Sequence, residues 1–196
     1  MLNECYNQKK IINYSLICYI LNEQGKHWIE KLNLRRHSEG GFFIETYRSA
    51  RHVNLPEYDG PRSACTAIYY LLIGDEVSFF HRIMSDEIWH FYAGSSLSLH
   101  VIEEEEETKL IEIRLGANID NNETFQAVIK SGSWFAASVI NRDSYSLVGC
   151  TVSPGFDYRD WQLGELQTMK RLYPQYKSII EKYAKPISGD NVEALE

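Results

Sequence analysis

His81 and Glu87 are the pair in this chain best suited to moving a proton. They stand in a stretch from Gly74 to Gly94 that reads Gly-Asp-Glu-Val-Ser-Phe-Phe-His-Arg-Ile-Met-Ser-Asp-Glu-Ile-Trp-His-Phe-Tyr-Ala-Gly. Read as two strands joined by a tight turn, alternation puts Phe79, His81 and Ile83 on one face of the first. Glu87, Trp89 and Phe91 share one face of the second. If those faces meet, an imidazole and a carboxylate come together among aromatic rings, a setting for general acid–base chemistry. The plainer alternative for His81 alone is a structural histidine with a satisfied partner.

Other residues could hold a ligand beside that pair. Arg48 could grip a phosphate or carboxylate with two parallel N–H groups, or form an ordinary salt bridge. Glu45 and Tyr47 share one face of an ideal strand, and Arg48 lies on the other. Thr66 adds a hydroxyl at the start of the next strand. Trp89 and Trp134 could stack on a sugar ring or a base, or be core aromatics. His90 is a further polar candidate, but strict alternation turns it away from Glu87 unless a bulge intervenes.

The elements that must position these groups are mostly strands. Lys26 to Leu34 reads as a short helix, ended by the polar turn Arg35-Arg36-His37-Ser38-Glu39-Gly40-Gly41, whose glycines tolerate positive φ. Strands are expected at Phe42–Arg48, Cys65–Ile73, Val77–Ile83, Glu87–Ala93, Leu97–Ile102, Leu110–Leu115, Phe125–Lys130, Trp134–Ile140 and Tyr145–Val152. Many short strands separated by turns indicate a sandwich or barrel. From Leu163 the pattern turns helical, with Tyr173-Pro174 dividing two segments. The acidic run Glu103 to Glu107 fits a solvated hairpin tip. This organisation divides the chain into an N-terminal extension (1–25), one domain with terminal helices (26–184) and a tail (185–196).

Composition excludes several classes. The chain has 196 residues, a size for one domain, and a formal net charge of −7. It has no clustered cationic face of the kind that releases counterions from nucleic acid, so no nucleic-acid partner is expected. Cys5, Cys18, Cys65 and Cys150 form no C-x-x-C pair, which argues for free thiols in a reducing compartment and against structural zinc. The apolar stretch Ile11 to Leu21 follows Lys9-Lys10 but is interrupted by Asn13 and Ser15. It is too short to span a membrane and lacks small cleavage-site residues. A docked N-terminal helix or strand, and a cytoplasmic protein, are expected.

The Gly74–Gly94 stretch resembles the first motif of the cupin superfamily. Glu87 and Gly94 have that motif's Glu-to-Gly spacing, and His81 takes its first histidine position. Ile83 stands in the second. A closer resemblance, over roughly Leu32 to Leu166, is to the uncharacterised cupin type 5 family, also called DUF985. The blocks that carry it are Leu34 to Gly41, Glu45 to Arg48, Phe80-His81-Arg82, Ser85 to Phe91, Ser131 to Trp134 and Thr151 to Phe156. The family usually has proline where this chain has Ser38, and its members have a shorter segment before Lys26.

The resemblance implies an all-β-dominated cupin double-stranded β-helix, or jelly-roll barrel, with flanking N- and C-terminal helices, often dimeric. In metal-bearing cupins the first motif's histidines and glutamate, with a histidine of the second motif, bind the metal. Here Ile83 and the stretch Gly132-Ser-Trp-Phe-Ala-Ala lack those histidines, so no metal and no cofactor are expected. Metal-free cupins that epimerise nucleotide-linked deoxy-sugars abstract a proton with a histidine. By that analogy the expected ligand is a sugar or nucleotide-sugar, His81 the base and Glu87 its orienting partner. Glu45, Tyr47, Arg48, Thr66, Trp89, His90 and Trp134 are the expected ligand contacts, in a homodimer. The alternatives are a non-catalytic ligand-binding cupin and a metal-dependent isomerase or dioxygenase.

Overall fold

The computed structural model describes residues 23–104 and 106–186. The segment Ile11 to Leu21 and most of the C-terminal tail lie outside them. Helix α1 covers residues 23–32 and stops where Asn33 takes a left-handed φ of 54°, a conformation asparagine tolerates. Thirteen strands follow. They are β1 (Arg35–Arg36), β2 (Phe42–Arg48), β3 (His52–Val53), β4 (Arg62–Ser63), β5 (Thr66–Ile73), β6 (Val77–Arg82) and β7 (Asp86–Gly94). The chain continues through β8 (Leu97–Glu104), β9 (Thr108–Leu115), β10 (Gln126–Ile129), β11 (Trp134–Val139), β12 (Tyr145–Ser153) and β13 (Gln162–Leu163). Helices α2 (Leu166–Leu172) and α3 (Lys177–Tyr183) close the described chain, with Pro174 at the start of the one-turn 3-10 segment between them.

The strands form two main antiparallel sheets, ordered β1-β2-β5-β12-β7-β10 and β13-β6-β11-β8-β9, with β3 and β4 paired as a separate two-stranded ribbon. Alternation along each strand sends one set of side chains between the sheets. Tyr70, Leu72, Trp89, Leu99, Val101, Phe135, Val148 and Cys150 belong to the central cluster there. The opposite face of the five-stranded sheet is covered by α2 and α3, which bury Phe80, Trp134, Met169, Ile180 and Tyr183 against it. On the six-stranded sheet, Trp28, Ile29 and Leu32 of α1 cover Leu71, Leu147 and their neighbours. Burying one such leucine is worth about 1.5–3 kcal/mol, so each helix is held by its apolar stripe more than by its length.

Two departures from ideal strands decide the site. The consecutive strands β6 and β7 do not pair with each other. One lies in each sheet, and the turn after Arg82 carries the chain across. His81 and Glu87 therefore approach from opposite sheets. The second departure is a bulge in β2. Glu45 pairs with Ile68 and Tyr47 with Ala67, so Thr46 is the extra residue. Among the described residues, no helix is long and apolar enough to cross a membrane.

Candidate functional site

At one end of the space between the sheets lies a cavity of about 410 Å³, a size typical of small-molecule sites. Its buried part is lined by Glu39, His81, Glu87 and Cys150, with His37 beside them. Phe43, Ile68, Ile83 and Val152 supply apolar wall, and Arg35, Glu45, Arg48, Asp157 and Tyr158 stand toward the solvent side.

Glu39 reaches the interior because the turn before β2 folds over β6. Phe79 N–H donates to the Glu39 carbonyl at 2.8 Å, and the Tyr70 hydroxyl donates to the Gly40 carbonyl at 2.7 Å. Gly40 is required at this crossing. Its φ is +112°, and a Cβ there would lie 2.0 Å from the Val77 carbonyl oxygen. Ser78 Oγ then donates to Glu39 Oε1 at 3.0 Å. Glu39 Oε2 lies 3.1 Å from His81 Nε2 and 3.5 Å from His37 Nδ1. His81 is fixed from its other side by a 2.8 Å contact between Nδ1 and the Phe79 carbonyl, and its ring leans on Phe135 with centroids 4.1 Å apart.

Burial governs the charges. It pulls His81 down from 6.5 to about 4, against the raising effect of the Phe79 carbonyl. It pushes Glu87 up from 4.5 to about 8, with the nearby Glu39 carboxyl acting in the same direction. Glu39 is also raised by burial, and His37 is lowered by it. The Cys150 thiol is pushed well above its ordinary value by burial and by Glu87. Burial thus shifts each of these groups toward its neutral form, because an unpaired ion in a low-dielectric interior is costly.

The expected residues separate into two groups. His81, Glu87, Glu45, Arg48 and Thr66 line the cavity. His81 and Glu87 do not form the expected imidazole–carboxylate pair. No hydrogen bond among the described residues joins them, and the carboxyl against His81 is that of Glu39. The β2 bulge corrects the reading of alternation. It brings Arg48 to the face of Glu45, where Nε and Nη2 bind the two carboxylate oxygens at 3.0 and 2.7 Å, and leaves Tyr47 54% exposed outside. Arg48 also donates to the Phe156 carbonyl, while Thr66 Oγ1 accepts from Phe156 N–H at 2.9 Å. These contacts pin the loop at the cavity rim.

The other three residues lie elsewhere. Trp89 is 1% exposed and belongs to the central core, edge-on to Tyr70 and Phe135. Trp134 faces the helix-covered side of the five-stranded sheet, beneath the Arg82 guanidinium. His90 sits on the outer side of β7, where Nε2 meets Thr151 Oγ1 at 3.1 Å and Nδ1 accepts from Gln126 at 3.0 Å.

Arg35, His37, Glu39 and Cys150 were not anticipated as site residues. The sequence signal for the first three is the run Arg35-Arg36-His37-Ser38-Glu39-Gly40-Gly41, where ionisable groups precede two glycines. Cys150 carries no such signal. Among the described residues, no group of three or more His, Cys, Asp and Glu is arranged to hold a metal ion. Ile83 presents an alkyl wall in the second histidine position, and His81 Nε2 is already engaged by Glu39. The residues do not fit the metal of metal-bearing cupins.

Comparison with known proteins fits this architecture. The family model described as Cupin superfamily (DUF985) matches residues 26–164. An uncharacterised protein of Saccharomyces cerevisiae is 28% identical over 145 residues, covering 67% of this chain and 71% of that one. A solved structure of a hypothetical protein from Leishmania major is 36% identical, with a TM-score of 0.77 over 81% of this chain and 97% of that one. A protein from Shewanella oneidensis is 37% identical, with a TM-score of 0.74 over 82% and 97% of the two chains. A family match over more than half of the chain, carried by the same two-sheet fold, makes this protein a member of the DUF985 family of the cupin superfamily.

Proposed function

We propose that the cavity binds a sugar or nucleotide-sugar and moves a proton on it without a metal, in the manner of an epimerase or isomerase. One observation carries this reading: two carboxyls and two imidazoles converge in a cavity large enough for a small ligand, where burial raises both carboxyls and lowers both imidazoles. A carboxyl held protonated up to about pH 8 can donate to a carbonyl oxygen of the ligand. A neutral imidazole–carboxyl pair beside it can take up or return a proton. The apolar walls limit water and strengthen each of these contacts.

A second reading, ligand binding without catalysis, is favoured by a different observation. Both ring nitrogens of His81 already have protein partners. Solvent-deuterium incorporation into a bound nucleotide-linked keto-sugar separates the two. The enzyme reading expects exchange by the wild type and a drop of about 100-fold in His81→Gln with binding retained. Equal exchange in both proteins would reject a role for His81, and saturable binding with no exchange would favour the binding protein.

The proposed assembly is a homodimer. Tyr92 and Val128 are about half exposed on the outer side of β7 and β10, beyond the area that α1 covers, and burying them would remove apolar surface from water. Light scattering over a wide concentration range should give twice the chain mass, and a monomer throughout would count against this assembly.

A further inference from the structure

The geometry around Glu39 points to an assignment that the sequence did not contain. We propose that Glu39 is the catalytic residue that exchanges a proton with the ligand, and that His81 is the positioning residue holding that proton from behind. This assignment rests on the proton-transfer reading above.

The partners of Glu39 fix where hydrogen atoms can be. A backbone carbonyl only accepts, so the 2.8 Å contact to Phe79 O requires a hydrogen on His81 Nδ1. The neutral ring then directs the Nε2 lone pair at Glu39 Oε2, 3.1 Å away. His37 Nδ1 accepts the backbone N–H of Glu39 at 3.3 Å, so it too carries a lone pair, 3.5 Å from the same oxygen. Ser78 is bound to the other carboxyl oxygen, and Tyr70 spends its hydroxyl proton on Gly40 O. Glu39 Oε2 therefore faces two nitrogen lone pairs. A carboxylate there would be repelled from both sides. One hydrogen on Oε2, donated to His81 Nε2, removes the conflict without separating charge in a buried site.

The surrounding groups agree with a neutral junction. Glu87 approaches from β7, Cys150 from β12, and Arg35 stands toward the solvent side on β1. Among the described residues no lysine or arginine is paired with Glu39, Arg48 being bound to Glu45 and Phe156. Burial, the largest effect, favours the neutral carboxyl, against the opposing pull of His37, Ser78, the Trp161 indole N–H and Tyr70.

The chemistry follows from that stored proton. Transfer from Glu39 to His81 Nε2 leaves a carboxylate facing the cavity and an imidazolium behind it. The carboxylate removes a proton from the carbon beside a ligand carbonyl: the C–H bond breaks, an O–H bond forms, and the electron pair moves to the carbonyl oxygen. Glu87 donates a hydrogen bond to that enolate oxygen. Reprotonation of the carbon by Glu39, followed by return of the His81 Nε2 proton to Glu39, closes the cycle with no oxidant or other co-reactant. The ligand class is a keto-sugar with an enolisable C–H, its carbonyl directed to Glu87.

The test uses the full-length protein. Long-range nitrogen-15 NMR at neutral pH should find His81 protonated at Nδ1 alone and His37 at Nε2 alone. A His81 imidazolium would place the resting proton on the ring and overturn the assignment. In Glu39→Gln the amide can donate to Nε2 in place of the acid, so the His81 tautomer should persist while deuterium exchange into a bound nucleotide-linked keto-sugar falls about 1,000-fold or more. In His81→Gln the loss should be smaller, about 100-fold, with the residual pH–rate profile displaced because the Glu39 proton has lost its imidazole acceptor. Exchange in Glu39→Gln equal to or faster than in His81→Gln overturns the assignment and leaves the proton-transfer reading standing. Absence of exchange in the wild type, with the sugar demonstrably bound, rejects both.

Discussion

Two histidines in this molecule sit in polar clusters of nearly the same composition, one lining the cavity between the sheets and the other packed under a helix. His81 meets a carboxyl, a serine-bound network and a second histidine between the sheets. His100 lies on the opposite side of the five-stranded sheet, under α3. Its Nε2 is 3.3 Å from Ser98 Oγ and 3.2 Å from Tyr183 Oη, while Ser98 donates to Glu112 and Ser138 meets Tyr183 at 2.8 Å. Burial lowers both histidines. The difference lies in the partners. Hydroxyl hydrogens rotate to suit their neighbours, so the His100 cluster satisfies itself and pins a helix. The Glu39 carboxyl has no such freedom, and its oxygen against two lone pairs calls for an added proton. Arrangement, more than residue type, separates a structural polar cluster from a reactive one.

The largest effect that sharpens this comparison is expected from a residue in neither cluster. Trp89→Ala removes the indole from the core between the sheets and should cost about 3–5 kcal/mol in chemical denaturation. A cost below about 1 kcal/mol, with weakened ligand binding, would return Trp89 to the cavity wall.

Glu87→Gln comes next and tests the charge state of the inner cavity. Burial raises Glu87 from 4.5 to about 8, so the folded chain holds this proton more tightly than the unfolded chain. The stability it contributes is full below about pH 4.5 and is lost as pH rises to about 8. Glu87→Gln should therefore become progressively more stable than wild type across that window. His81, lowered to about 4, acts in the opposite sense and should cost both proteins stability as pH falls from 6.5 to about 4. Parallel curves for the two proteins between pH 5 and 8 would mean that Glu87 ionises normally.

The smallest effect is expected at the structural cluster. Tyr183→Phe deletes the hydroxyl shared by Ser138 and His100 and should cost about 0.5–1.5 kcal/mol, with ligand affinity unchanged. A loss of affinity would show that the two clusters communicate through β11.

Much of the fold was legible because burial on both sides of a strand leaves a plain record in the sequence. The strands from Phe42 to Tyr145 begin within about two residues of their expected places. The short pairings of β1, β3, β4 and β13 left no period to read, being two residues each. The site was harder. Alternation placed Glu87 on an inward face, but the pairing of β6 and β7 with different sheets is a matter of topology. Arg48 was turned to the other face because a bulge is invisible to a strict two-residue period. Glu39 escaped notice because its position depends on a turn folding over a strand about forty residues away. That placement is encoded in Gly40 and its fit against Val77, not in any spacing of the reactive groups.

The inner cavity, and not the polar cluster under α3, is the proposed ligand site. Isotopically labelled protein titrated with a nucleotide-linked keto-sugar distinguishes the two. Saturable backbone shifts are expected at Glu39, Thr66, His81, Glu87 and Cys150, with Ser98, His100 and Ser138 unmoved. Saturable shifts confined to the second group, or none at any concentration for this ligand class, would contradict the account.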